Sequence, residues 1–237
     1  TLLRPLRPGG RPPLRVFTQR LHILYRVTSL VFVREGKNTR ERMLEVAMAI
    51  IEEHGEAGMR VRDVAMRTGV SYASLYHFFG SREGLVLAAQ IERYERELRW
   101  VSEEFTRRVS ACISPEEFSS ALIKMLDQSF DLSRSSFRMT RVNVLGSCQG
   151  RPELTAVIAE AQRRADRAIA TALERPQRMG WIPADLDLGM FATWYHGQLN
   201  GRVLVELDPE QSRGTEWDRI SRRATLSVLV DGFGSTH

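Results

Sequence analysis

Apolar positions recur every three to four residues through most of this chain, and no segment sustains the every-second-residue alternation of a half-buried strand. The regular pattern begins at Asn38. Met43, Leu44, Ala47, Ile50 and Ile51 share one helical stripe. Asn38 and Glu41 fit an N-cap with its reciprocal partner three residues on, and His54-Gly55 marks the end. A short helix over about Val61 to Thr68 turns Val64 and Ala65 inward, and Gly69 breaks it. Ser71 is placed to cap a third helix, Tyr72 to Phe79. Gly80-Ser81 then leads into a long helix from about Glu83 to Val109.

Downstream the same period continues. Ser114 and Pro115 open a helix, as a cap and a first-turn proline do, and another is predicted over Ser135 to Ser147. Leu154, Val157, Ile158, Ala161, Ala165, Ala168, Ile169 and Leu173 form one stripe, which Pro176 is set to kink or end. Two more helices, Leu186 to Leu207 and Thr215 to Gly232, close an all-α fold. Residues 1–37 differ. "RPLRPGGRPP" cannot form a helix or a strand interior, and the stretch "LRVFTQRLHILYRVTSLVFVREGK" after it has neither period. With seven arginines and Lys37 against Glu35, the segment predicts a disordered basic arm of the kind that tracks phosphates or the minor groove.

Composition narrows the picture further. Charged residues make up 27% and hydrophobic residues 43%, as in an ordinary globular protein. No apolar run approaches the ~18 residues of a membrane span. Leu21 to Val33 is broken by Arg26 and succeeded by Arg34, which argues against a secretory signal. Cys112 and Cys148 form neither ligand spacing nor a disulfide framework, so a reducing cytoplasm is expected. Residues 1–90 carry 14 Lys+Arg against 8 Asp+Glu, while residues 91–237 carry 20 against 21. A localised surplus of this sign is the footprint of a polyanionic partner. There is no phosphate-cradling glycine loop, no paired metal-binding histidines and no nucleophile elbow. The histidines at 22, 54, 77, 196 and 237 are scattered. No catalytic residue, metal or cofactor is expected.

The crowded stretch "TGVSYASLYHFFGSREGL" then acquires a meaning. Two short helices joined at Thr68-Gly69-Val70-Ser71 read as a helix-turn-helix, whose second helix enters the major groove. Val70, Leu75 and Phe79 would anchor that helix, leaving Tyr72, Ser74, Tyr76 and His77 outward. On these residues alone a helical hairpin without nucleic acid is the alternative. "TRERMLEVAMAIIEEHG" and "RVRDVAMRTGVSYASLYHFFGSREGL" closely resemble the N-terminal domain of the tetracycline-repressor (TetR) family, over about Asn38 to Glu97. The resemblance implies phosphate contacts from Thr39, Arg62, Tyr76 and Arg82, with Tyr72, Ala73 and Ser74 closest to the bases and Ser71 and His77 in the same DNA-binding set. Two positions depart from the family. Met59 and Arg60 stand where Thr or Ser is usual, so the second helix lacks its cap and Arg60 becomes a phosphate candidate. Phe78 replaces a common His or Tyr.

Residues 98–237 match only the family's general plan, which implies a divergent helical domain that dimerises and encloses a small-molecule effector. Wall candidates are Trp100, Met125, Phe130, Phe137, Met139 and Trp194, with Arg138, Arg141, Asn143, Gln149 and His196 as polar tips. Each fits plain core or surface as well. The Leu186–Leu207 helix is apolar on two sides: Leu188, Phe191, Tyr195, Leu199 and Val203 on one, Met190, Trp194, Gly197, Gly201 and Leu204 on the other. One side can face its own core, and the other, with Ile220, Ala224 and Val228 of the last helix, predicts a dimer interface; a crossing wholly within one subunit is the alternative. The expected organisation is an extension (1–37), a DNA-binding domain (38–97) and an effector and dimerisation domain (98–237). The expected function is a homodimeric repressor that leaves a pseudo-palindromic operator when a small molecule binds. The alternatives are an activator or a ligand-independent DNA-binding protein.

Overall fold

The computed structural model describes residues 38–208 and 213–231; the predicted basic arm, residues 1–37, lies outside them. Helix α1 (Thr39–Gly58) starts under a complete capping box: the Asn38 side chain accepts from the Glu41 backbone at 3.0 Å, and the Asn38 backbone donates to the Glu41 carboxylate at 3.3 Å. Gly55, at φ +69°, takes a left-handed conformation and breaks the regular helix where the His-Gly pair predicts. Helix α2 (Val61–Thr68) stops at Gly69, and α3 (Tyr72–Phe79) starts where the Ser74 N–H donates to Ser71 Oγ at 3.1 Å. These three close over Met43, Ala47, Ile50, Val64, Leu75 and Leu85, all fully buried.

Helix α4 (Arg82–Ala111) is the spine of the molecule. Leu85, Val86 and Ala89 belong to the first core. Tyr94 and Leu98 belong to a middle one with Val144, Leu154 and Ile158. Val101, Phe105 and Val109 belong to a distal one with Phe118, Leu122, Ile169, Phe191 and Tyr195. The expected domain boundary near Glu97 therefore falls inside one continuous helix, and the packing partner changes earlier, over Leu87 to Ile91, where the two cores share the helix.

The remaining helices are α5 (Pro115–Phe130), α6 (Ser135–Ser147, entered through a tight turn over Leu132–Arg134), α7 (Pro152–Arg178), α8 (Leu188–Gly201), α9 (Val203–Glu206) and α10 (Gly214–Leu226). No strand occurs among the described residues. Helix α7 passes through Pro176 and stops at Arg178. The single helix expected over Leu186 to Leu207 is divided at Arg202. Gly201 lies against the Trp217 ring, and Arg202 turns inward, donating to Asp218 and to Glu206 at 2.7 Å each. The apolar pattern runs on through Leu204, so periodicity carries no sign of this break. The last helix ends at Leu226 and widens into a π-type turn over Ser227–Asp231; the Gly232 expected to close it lies outside the described residues.

Candidate nucleic-acid interface

Helix α3 has one buried face and one bare one. Leu75 is fully buried and Val70 and Phe79 are half-buried against the first core, while Tyr72 and Tyr76 are 48% and 49% exposed. Ala73 and His77 are exposed beside them. The Ser71 and Ser74 hydroxyls lie 3.0 Å apart, and Ser71 Oγ also accepts the capping N–H, so Ser71 spends its side chain on starting the helix. Thr39 opens α1, and the Arg62 side chain is 73% exposed. Arg60 is exposed at the start of α2 with no side-chain cap bond, as its departure from the family predicts.

Arg82 is used differently from the expectation. Its Nε donates to the Met59 carbonyl at 2.9 Å and its Nη2 to the Glu56 carbonyl at 2.6 Å, while Nη1 faces Glu83 at 3.5 Å. It ties the end of α1 to the start of α4. Arg40, absent from the expected contact set, lies over the Phe79 ring at 5.3 Å and is exposed next to Thr39. The basic surplus also sits elsewhere than expected. Between residues 38 and 90, Arg40, Arg42, Arg60, Arg62, Arg67 and Arg82 face Glu41, Glu45, Glu52, Glu53, Glu56, Asp63 and Glu83. The surplus of residues 1–90 thus belongs to the segment outside the described residues, and the α3 face is positive only through the placement of individual arginines.

Behind this face, most of the effector candidates separate. Met125 and Phe130 are buried in the distal core. Trp100 and Phe137 enclose Arg134, whose guanidinium lies 3.5 and 4.1 Å from their ring centres and pairs with Glu97 at 3.1 Å. Met139 and Trp194 are on the surface, as are Asn143 and Gln149. Arg138 is consumed by Glu206 and the carbonyls of Ser129 and Asp131. Arg141 and His196 belong to one buried polar group, joined through Tyr94 and Gln162 between α4, α6, α7 and α8. There the Tyr94 hydroxyl donates to Gln162 at 2.6 Å, Gln162 donates to Asp166 at 2.8 Å, His196 Nδ1 donates to Asp166 at 2.7 Å and Thr193 donates to Asp166 at 2.9 Å. Burial pushes the His196 pKa down against the pull of Asp166, and the Arg141 charge adds to that, so the ring is neutral near pH 7. Sequence reasoning missed Tyr94, Gln162 and Asp166. The available signal was Gln162 and Asp166, four apart, beside the apolar positions Ala161 and Ala165.

The two-sided reading of the penultimate helix has a clear geometric counterpart. Phe191, Tyr195, Leu199 and Val203 are buried; Met190, Trp194, Gly197 and Leu204 are exposed, with Ile220 of α10 also bare. Gly201 departs from it. A Cβ there would sit 3.0 Å from the Trp217 ring of the same chain, so its small size serves a crossing within the subunit. Ala224 and Val228 are half-buried, Val228 against the distal core.

One further cluster joins the end of α1 to the region where α6 ends and α7 begins. Glu56, at the end of α1, accepts from both Arg151 nitrogens, at 3.0 and 2.5 Å, and from Gln90 at 2.5 Å. Gln90 also reaches Ser147, and Arg93 joins Gln90 to Thr140 of α6. Burial alone would raise the Glu56 carboxyl, but the bonds from Arg151, Gln90 and Ser147 outweigh it and hold its pKa below 4.5. A carboxyl depressed on folding stabilises above its unfolded pKa and loses that contribution as pH falls through its folded one. The pair is partly exposed, so Arg151→Ala is expected to cost under about 1 kcal/mol at pH 7. It should speed amide exchange at the end of α1, and both effects should vanish below the depressed pKa. Exchange and urea titrations at neutral and acid pH check this; a difference that persists in acid assigns the effect to packing.

Comparison with known proteins agrees with this architecture. Residues 43–89 match the family described as bacterial regulatory proteins, tetR family. The chain is 25% identical over 166 residues to the HTH-type transcriptional repressor AcnR of Corynebacterium glutamicum, covering 70% of this chain and 80% of that one. Among solved structures, Salmonella enterica GusR superposes with a TM-score of 0.64 at 20% identity, over 83% of this chain and 98% of that one. A transcriptional regulator of Saccharomonospora viridis in complex with choline superposes with a TM-score of 0.60 at 19% identity, over 81% and 97%. At these identities the structural likeness speaks for the fold.

Proposed function

We propose that this chain, a member of the TetR family of bacterial transcriptional regulators, is a homodimeric repressor that a small molecule releases from a pseudo-palindromic operator. The observation that carries the reading is α3: a helix anchored by Leu75 and bare at Tyr72 and Tyr76, capped so that its first turn faces outward. Two copies would place these helices in successive major grooves, half-sites about 34 Å or a multiple apart. Residues 38 to about 97 would do the DNA binding, in the cytoplasm, and the rest would bind effector and dimerise. The work is binding rather than catalysis.

The buried group around Arg141 and His196 is the proposed effector site, since it leaves buried polar atoms unspent beside Tyr94, which packs in the middle apolar core. That a regulator of this fold is known in complex with choline supports a small ligand. Helix α6 carries Arg141 mid-way and reaches the Glu56 cluster at Ser147, so it joins the effector site to the end of α1. A coupling of about 1–3 kcal/mol through such a path would lower operator affinity 5- to 150-fold.

Tyr76→Ala is expected to weaken binding to operator and scrambled DNA alike, because it removes a phosphate contact. Changing Tyr72 or Ser74 should instead shift base preference, by about 1–3 kcal/mol for a good contact. Binding over a salt series on both DNAs separates the two behaviours. Unchanged affinities for Tyr76→Ala would show that this face does not meet DNA.

A further inference from the structure

Arg141 is 2% exposed, and its Nε and Nη2 have no hydrogen-bond partner among the described residues. It forms no ion pair there. The Tyr94 ring centre is 6.0 Å from its guanidinium carbon, and the Tyr94 hydroxyl, which donates to Gln162, turns its oxygen to the Arg141 side chain, leaving Nε and Nη2 unspent. A buried guanidinium left this way is costly, because its charge has lost water while the nearby carboxylates Glu97 and Asp166 make no direct ion pair with it. The other buried arginines show the contrast: Arg138 and Arg202 are both held by Glu206. Nε and Nη2 form the fork that receives the two oxygens of a carboxylate.

His196 supplies a second unspent atom. It is 2% exposed, and its Nε2 has no partner among the described residues. Nδ1 lies 2.7 Å from the Asp166 carboxylate, which can only accept, and 2.9 Å from the Gln162 amide nitrogen, which itself donates to Asp166 at 2.8 Å, so Nδ1 carries the proton. In the neutral ring Nε2 is then a bare acceptor and calls for a donor. Tyr94 and Gln162 link the two side chains: the Tyr94 hydroxyl faces Arg141 and donates to Gln162, whose amide nitrogen lies 2.9 Å from His196 Nδ1.

We propose that Arg141 and His196 hold a small organic acid, its carboxylate on Nε and Nη2 of Arg141 and a hydroxyl beside that carboxylate donating to Nε2 of His196. This rests on the effector site proposed above and names the class of molecule that fills it. A monoanion fits better than a phosphate dianion. Glu97 and Asp166 already place negative charge near Arg141, and no second unspent cation accompanies it.

The test uses the full chain without DNA, by thermal unfolding at matched ionic strength. The probes are lactate, propionate, lactamide and inorganic phosphate. Lactate is expected to raise the melting temperature more than propionate, while lactamide and phosphate leave it unchanged. Arg141→Met should melt higher than the parent chain, because an unpaired buried charge is gone, and should bind lactate about ten- to a hundredfold more weakly. Arg141→Lys keeps the charge without the fork and should bind lactate weakly too, which guards against a methionine variant that fails to fold. His196→Phe should remove the advantage of lactate over propionate. An equal lactate response in Arg141→Met, a larger response to phosphate than to lactate, or no response to either carboxylate overturns the proposal. Operator release is measured separately. Lactate stabilisation without any effect on operator binding would leave the acid site standing and remove its role as the release site.

Discussion

Glu206→Ala is expected to lower folding stability by about 3–5 kcal/mol, the range for breaking a buried ion pair from one side. The Glu206 carboxylate accepts from Arg138 Nε at 2.9 Å, from Arg202 Nη1 at 2.7 Å and from Ser135 at 3.1 Å. The side chains of Arg138, Arg202 and Glu206 are 4%, 5% and 3% exposed. Alanine would leave two guanidiniums in the interior with their common anion gone. Arg202 keeps Asp218 and Arg138 keeps two carbonyls, so the loss falls short of two free charges. Pairing Glu206→Leu with Arg138→Met should recover much of the loss, since apolar replacements of similar volume need no counter-ion. Urea titration at pH 7 measures all three chains. A loss under about 1 kcal/mol for Glu206→Ala would mean that water reaches this cluster.

Leu204→Glu combined with Ile220→Glu is expected to give folded monomers with operator affinity reduced about 10²- to 10⁴-fold, because two half-sites no longer act through one linked molecule. Leu204 is 71% exposed and Ile220 55% exposed, and exposed substitutions away from special features usually change folding stability by under about 0.5 kcal/mol. Helical content should therefore stay the same while self-association is lost. Gly201 is unsuited to this experiment, because a side chain there meets Trp217 inside the subunit. Sedimentation, circular dichroism and operator titration together decide the matter. A dimer with normal affinity would move the interface to another surface.

Much of the fold was legible in the sequence because it depends on local signals. Caps at Asn38, Ser71 and Ser114 and left-handed glycines at Gly55 and Gly69 act within a few residues, and the amphipathic stripe decides which face turns inward. The buried Leu75 beside bare Tyr72 and Tyr76 obeys the same rule. What the stripe could not assign was the company each polar side chain keeps. Arg82, Arg138 and Arg141 look alike along the chain. One fastens two helix ends, one is neutralised by Glu206 sixty-eight residues away, and one is left with unspent donors. Gly197 and Gly201 share a face, yet only Gly201 has a ring from its own chain against it. Helix formation and facing are set by neighbours in sequence, and these the amino-acid order determined by itself. Which charges are paired, where the helix divides at Arg202 and which atoms remain free for a ligand are set by neighbours in space, and those only the packed tertiary structure decided.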